Sequence, residues 1–586
     1  MGFSQEEIIN ELPVYLRQFV ATQDYSSCYT PRDQAVWRYV MRQLSNHLKD
    51  TAHPIYLEGL KKTGISIETI PSIEEMNECL SKIGWKAVVV DGFIPPQAFM
   101  ELQELKVLAI ALDMRTIEHI LYTPAPDIVH ESAGHAPIII DEEYSEYLQR
   151  FGEIGVKAMF TKEDKAVYEA IRHLSIIKEF PETTEEEIKE AERSLEEKMN
   201  SVKNPSESAL LTRLHWWTVE YGLVGSVDDY KIFGAGLLSS LGESESCLDD
   251  KKVKKIPLTL DAINTPYDIT TRQPQLFVTK SCRHLTQVLE DFADQMCFRK
   301  GGAESVKIAI DCNVVSTLQY SSGLQVSGVV SRLLTNAAGK EIYIGTEGPT
   351  QLAYNSKELS GHGTEYHAHG FGSPVGQLCN LMKPLEDATE YDLITLNIKR
   401  ESRAVLEFVS GVRVDGFLNS ITKKDGKLVL MSFSECTVIS PTGEILFDPS
   451  WGIYDMAIGK RISSVYSGSA DKETFNVYGE KPSEGTKKVT YTEKQKNEFQ
   501  LYQEIRTLRS SGTILNTDVE KMYRTACDSF PNSWLIFIEL LELADHRSAL
   551  YEEIKKTLSH LSEDDKDVAH LIARGISLIE SESELV

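Results

Sequence analysis

Pro124-Ala-Pro-Asp-Ile-Val-His-Glu-Ser-Ala-Gly-His-Ala-Pro137 sets two histidines, His130 and His135, five residues apart, with Glu131 beside the first. A zinc protease requires His-Glu-x-x-His, because a four-residue step turns only about 40° round an α-helix and puts both rings on one face. Five residues turn about 140°, so one continuous regular helix cannot bring both rings to a single ion. Gly134 and Pro137 predict that the helix ends here and that His135 swings back from its terminus. The spacing argues against a zincin and for a two-histidine site whose third ligand comes from elsewhere.

Leu214-His-Trp-Trp-Thr-Val-Glu-Tyr-Gly-Leu223 reads as a buried helix with one carboxylate, Glu220, among aromatic and aliphatic residues. An unpaired buried carboxylate is costly, and a metal is one partner that keeps it charged. Two neutral imidazoles and a carboxylate form the facial triad of non-haem iron(II) oxygenases, which leaves positions open for dioxygen and a cosubstrate. The plainer alternative pairs Glu220 with an arginine and leaves both histidines structural.

Further motifs stand in order along the first half of the chain. They are Tyr29-Thr-Pro-Arg-Asp-Gln-Ala-Val-Trp37, Tyr56-Leu-Glu-Gly-Leu60, Gly84-Trp85 and Tyr122-Thr-Pro-Ala-Pro-Asp-Ile-Val-His-Glu131. Trp217-Thr-Val-Glu-Tyr-Gly-Leu223 and Phe233-Gly-Ala-Gly-Leu-Leu-Ser-Ser-Leu-Gly-Glu243 follow. With these motifs the sequence resembles the tetrahydropterin-dependent aromatic amino acid hydroxylases, and the resemblance fades after Tyr267-Asp-Ile-Thr-Thr-Arg-Gln-Pro274.

The resemblance implies roles residue by residue. His130, His135 and Glu220 match the iron ligands. Arg115 matches the arginine that grips the substrate carboxylate, work suited to a planar guanidinium fork. Asp127 matches its acidic support, and Thr123 and Ser239 match other residues lining the amino acid site. Trp216, four positions before Glu220, is expected on the same helical face as an aromatic wall for the substrate ring. Phe99 matches the residue that stacks on the pterin, Gly92-Phe93-Ile94 the backbone that holds the pterin edge, and Glu131 a residue that orients it. Ile269 stands where a small branched residue accompanies Phe or Trp as substrate. Outside that context the aromatic residues read as core, and Arg115 with Asp127 as an ordinary ion pair.

Three departures stand out. His215 occupies the position of a tyrosine in the animal members, Pro95-Pro96 replaces a small polar pair, and the interval from His135 to Glu220 is long. Thr184 and Glu187 form a capping-box pattern within that interval, followed by a narrow apolar stripe of Ile188, Ala191, Leu195, Met199 and Val202. An inserted acidic helix is expected there, with the insertion spanning about 161–210.

The 586 residues imply several domains, and 41% hydrophobic content suffices for packed cores. A formal charge of −27 disfavours nucleic acid and anionic membranes as partners. No apolar run approaches a membrane span, and the start, Met1-Gly-Phe-Ser-Gln-Glu-Glu, does not read as a secretory leader. Nine cysteines without a Cys-x-x-Cys pair suit reduced thiols in a cytoplasmic protein. The sequence begins almost at the catalytic motifs, so the regulatory domain of the animal members is not expected.

The expected fold is α+β. A mainly α-helical catalytic domain spans 1–300, a β-rich domain of unknown role 304–460, and an α-helical C-terminal region 488–586. Ile308-Ala-Ile-Asp311, Leu324-Gln-Val-Ser327, Glu341-Ile-Tyr-Ile344 and Lys427-Leu-Val-Leu-Met431 read as strands, and Lys424-Asp-Gly-Lys427 as a hairpin turn. A polar passage from Ser463 to Lys487 reads as a linker, and the chemistry is expected to be separable at Arg299–Ala303. His362, His367 and His369 suggest a second metal cluster, with His367 and His369 on one strand face, though Gly-rich turns also collect histidines without metal.

The function implied is an Fe(II)- and tetrahydropterin-dependent monooxygenase that hydroxylates an aromatic amino acid with dioxygen, most simply phenylalanine to tyrosine. Tryptophan hydroxylation is the alternative within the family. A zinc hydrolase and an inert binding protein are the alternatives outside it. Assembly into a homo-oligomer stays open.

Overall fold

A computed structural model describes residues 4–90, 94–121, 126–179, 183–268, 271–478, 490–564 and 566–583. The N-terminal half is built on the helix Pro31–Thr51, whose start follows from local chemistry. Thr30 and Asp33 form a capping box, and Pro31 takes the first turn, where its missing N–H costs nothing. Val36, Val40, Met41, Leu44 and Leu48 on this helix are buried in the main apolar core. Two small sheets flank it. In one, Lys86–Val90 lies between Val20–Ala21 and Val107–Ala111. In the other the order is Asp229–Ile232, Leu223–Ser226, Gln275–Thr279 and Lys254–Pro257.

The expected insertion is two helices, Lys162–Glu179 and Glu185–Ser201, which pack against each other. The Thr184–Glu187 capping box forms as read. The apolar stripe is only partly covered: Ala191 is buried, whereas Met199 is 56% exposed. Acidic residues crowd the remaining surface, so the second helix is mainly a solvated one.

Strands begin later than the sequence suggests. Ile308–Asp311 lies in the helix Gly302–Cys312, because Val306, Ala309 and Cys312, at helical spacing, are the residues that bury. Ile308 is exposed, so the Ile-Ala-Ile alternation carries no sheet face. Helical structure therefore runs through Ala303 and beyond. Past it, a six-stranded sheet holds Val315–Tyr320, Leu324–Thr335, Glu341–Tyr354 and Gly370–Pro374 among its strands. A five-stranded sheet holds Arg413–Lys424, Lys427–Ile439 and Tyr454–Ala457. The Lys424–Lys427 hairpin is present, with Asp425 and Gly426 both at positive φ (47° and 80°), as a type I′ turn requires. The linker reading fails at its start. Ile462–Ser467 is a strand of the six-stranded sheet, with Ile462, Val465 and Ser467 buried.

The C-terminal helices Glu493–Ser510, Asn516–Ser529, Trp534–Leu543, Ala549–Asp564 and Lys566–Ser583 join the same apolar core as the N-terminal half. Tyr39 meets Trp534 edge to face at 5.2 Å and donates to the Leu571 carbonyl at 2.6 Å. Arg38 forks onto Glu542 and reaches Glu539 at 3.3 Å. A chain ending at Lys300 would leave this face of Pro31–Thr51 bare.

Candidate metal centre and pocket

His130 and His135 converge by a route that regular-helix reasoning misses. Val129–His135 is a π-helix, whose wider turn adds about one residue and stacks positions i and i+5. The expected helix end at Gly134 is absent; the backbone continues as a 3-10 turn, Ala136–Ile140, that includes Pro137. Gly134 is required for a different reason. A Cβ there would come within 2.7 Å of the Ala235 carbonyl oxygen, so glycine permits the close approach of the segment that carries Ser239.

A second π-turn, Trp216–Glu220, completes the group. His130 Nε2 lies 3.1 Å from His135 Nε2 and 3.2 Å from Glu220 Oε2, and His135 Nε2 lies 3.4 Å from Glu220 Oε1. Donors about 2.1 Å from one ion at right angles would stand about 3 Å apart. Ser239 fixes the tautomer of His130. Its hydroxyl donates to the Ala235 carbonyl at 2.7 Å, so it accepts from His130 Nδ1–H at 3.1 Å and leaves Nε2 bare. The donor set therefore fits iron(II), with two imidazoles, one carboxylate and no thiolate.

Charge is arranged to match. Burial would raise the Glu220 carboxyl, but the two imidazoles outweigh it and hold the group well below its ordinary value. Glu131 is pushed up to about 8 by burial, with Glu220 and Asp127 adding to the rise against His135. It is therefore largely protonated at neutral pH and can donate a hydrogen bond. His215 is lowered to about 4 by burial and sits 3.7 Å from Glu220 Oε1, so it is neutral. Its ring is edged by Phe151 at 5.1 Å and Phe99 at 6.0 Å.

Arg115 and Asp127 form a buried two-pronged pair, Nε–Oδ2 at 2.7 Å and Nη2–Oδ1 at 2.8 Å. Nη1 donates to the Ser239 carbonyl at 3.0 Å, and Asp127 also accepts from the His130 backbone N–H. Arginine, its carboxylate and the first histidine are thus one connected unit. Sequence reading placed Ser239 at the amino acid site but missed that it joins His130 to Arg115. The signal was present: Ser239 follows Ala235 by four residues, the spacing at which a serine bonds back to its own helix.

Trp216 opens the π-turn that Glu220 closes. Its ring is sandwiched between Tyr221 at 4.7 Å and Tyr267 at 4.3 Å, and Nε1 donates to Gln273. Phe99 is half-buried on the helix Pro96–Glu104, where Pro96 occupies the first turn. With Trp85, Glu131 and His135 it lines a cavity beside the triad. Ile94 and Phe99 each pack against a smaller apolar cluster. Gly92, Phe93, Thr123 and Ile269 lie outside the described residues.

Residues 26–180 and 156–301 match the family model for biopterin-dependent aromatic amino acid hydroxylase. The two matches overlap at 156–180, across the first of the two inserted helices. The phenylalanine-4-hydroxylase of Pseudomonas aeruginosa is 28% identical over 264 residues, 45% of this chain and 84% of that protein. The phenylalanine-4-hydroxylase of Chromobacterium violaceum is 28% identical over 259 residues, 44% of this chain and 72% of that protein. Among solved structures, the phenylalanine hydroxylase of Chromobacterium violaceum with bound oxidized Fe(III) shares 26% identity, with a TM-score of 0.38. That match covers 47% of this chain and 87% of the other.

Proposed function

We propose, from the match of residues 26–301 to the biopterin-dependent aromatic amino acid hydroxylases, that the chain converts L-phenylalanine to L-tyrosine, using iron(II), a tetrahydropterin and dioxygen. The observation that carries the reading is the convergence of His130, His135 and Glu220 within 3.4 Å of one another, tied through Ser239 to the Arg115–Asp127 pair.

When bound, iron(II) and tetrahydropterin would activate dioxygen, the oxidant, with the pterin supplying two electrons. The chain supplies position. His130, His135 and Glu220 hold the metal from one side. Arg115 fixes the amino acid carboxylate, and Asp127 keeps the guanidinium plane in place. Phe99 offers a flat face to the pterin ring, and protonated Glu131 donates toward it. Trp216, held between two tyrosines, keeps one wall apolar.

The match of residues 26–301 to the hydroxylase family weighs against a zinc hydrolase with Glu131 as its base. Unpaired cysteines support a cytoplasmic setting. Among the described residues, no helix is long and apolar enough to cross a membrane. Metal analysis combined with tetrahydropterin-dependent turnover of Phe, Tyr and Trp tests the proposal. Turnover of none of the three by iron-loaded protein refutes it.

A further inference from the structure

We propose that the β-rich region holds a second divalent transition-metal site, formed by His362, His367 and Asp455. Their donor atoms all lie within 4.8 Å of one another. His362 Nδ1 stands 3.3 Å from His367 Nε2 and 3.9 Å from Asp455 Oδ2. Two imidazoles five residues apart and a carboxylate from a distant element repeat the donor set of the first site on unrelated backbone.

The backbone holds the imidazoles firmly. Thr350 N–H donates to the His367 carbonyl at 3.1 Å, and Leu352 N–H to the His362 carbonyl at 2.9 Å. Both tie the histidine loop to the strand Glu341–Tyr354 of the six-stranded sheet. Asp455 comes from the other sheet, on Tyr454–Ala457, where Ser432 donates to its Oδ1. An ion here would bridge the two sheets. His369 is exposed and belongs to neither a strand nor this group, so the expected His367–His369 face does not form.

Two observations favour a metal over a hydrogen-bonded histidine pair. Asp455 is only 5% exposed, yet Oδ2 has no hydrogen-bond partner among the described residues. Leaving a buried carboxylate oxygen unsatisfied is expensive, and a cation removes the cost. The Tyr366 phenol approaches the Asp455 carboxylate as a weak donor, which adds to burial in raising the phenol above its ordinary value, but it does not satisfy Oδ2 by distance and angle. The two imidazoles also turn ring nitrogens toward each other and toward that oxygen, although one proton can serve only one of those contacts. Three protein ligands leave coordination positions open. Tyr366, 53% exposed and packed against both rings at 4.7 and 5.5 Å, marks the solvent side.

The test counts metal on the full chain, stripped with chelator and reloaded with Zn(II) or Co(II). Wild type should hold two ions. Asp455→Asn and His362→Gln should each hold one, His130→Ala one, and His130→Ala/Asp455→Asn none. In the His130→Ala chain, Zn(II) should still raise the melting temperature, a rise that Asp455→Asn removes. Co(II) visible bands should likewise survive in His130→Ala. A His130→Ala chain that binds no ion and melts at the same temperature with or without Zn(II) overturns the second site. Loss of the ion retained by Asp455→Asn would instead count against the first site, so the two failures are separable. His362→Gln lies on the loop rather than in a sheet, and repeats the test should Asp455→Asn misfold.

Discussion

The hydroxyl of Ser239 accepts from His130 Nδ1 at 3.1 Å because its own proton is committed to the Ala235 carbonyl. One serine thus sets the tautomer of the imidazole proposed as a metal ligand, and its backbone carbonyl also receives Arg115 Nη1. Partners of this kind typically change metal affinity by about 10–100-fold. Ser239→Ala should weaken Fe(II) binding by about that factor, with the fold intact by circular dichroism. Equal iron affinity in the variant would show that His130 needs no such orientation.

The Arg115–Asp127 pair is buried on both sides, so removing one partner strands the other. Asp127→Asn should cost about 3–5 kcal/mol of stability. Arg115→Lys keeps the charge but loses the fork, so it should raise KM for phenylalanine more than it lowers kcat. Thermal melting and steady-state kinetics read the two effects. An unchanged KM in Arg115→Lys would remove the arginine from the substrate site.

Glu542 ties the C-terminal helices to Arg38 and Arg42. Burial would raise its carboxyl, but the arginines prevail and hold it below the ordinary value. A carboxylate depressed in the folded chain contributes stability that is complete above about pH 4.3, the ordinary glutamate value, and is lost as pH falls through the folded value. The protection factors of Trp534–Leu543 against hydrogen exchange should therefore fall below about pH 4. Glu542→Gln should show fast exchange at neutral pH as well. Protection independent of pH and of Glu542 would contradict this role.

By sequence resemblance alone, Ile269 matches a position where a small branched residue accompanies Phe or Trp as substrate. A tyrosine hydroxyl buried there without a partner costs about 1–3 kcal/mol. Competition between Phe and Tyr should favour Phe by roughly 5- to 150-fold in kcat/KM, the same range expressed as a ratio. A ratio of one or less would reject the assignment.

Legibility followed periodicity. The capping boxes at Thr30 and Thr184, the Asp425-Gly426 turn and the residue types of the triad could all be read, because each rests on short-range chemistry. The five-residue spacing of His130 and His135 was read correctly as incompatible with an α-helix. Its resolution, a π-turn rather than a helix end, depends on the tertiary fit of Gly134 against Ala235, which no local pattern reports. Ile308–Asp311 looked extended because two isoleucines alternate with small and polar residues, and only packing shows that Val306, Ala309 and Cys312 are the buried set. The shared core of the C-terminal helices and Pro31–Thr51 joins residues some 500 positions apart, as in the Arg38–Glu539 contact, beyond the reach of any sequence window.

The most direct test of the account measures tyrosine formed from phenylalanine by the full chain, with tetrahydropterin and dioxygen, against Fe(II) bound. Three ligands are the minimum for this facial site, so activity should rise in proportion to the first equivalent of iron and stop there. Glu220→Ala should neither retain that equivalent nor form tyrosine above background. Full tyrosine formation by iron-free protein, or by Glu220→Ala, would contradict the assignment of His130, His135 and Glu220 as the catalytic metal centre.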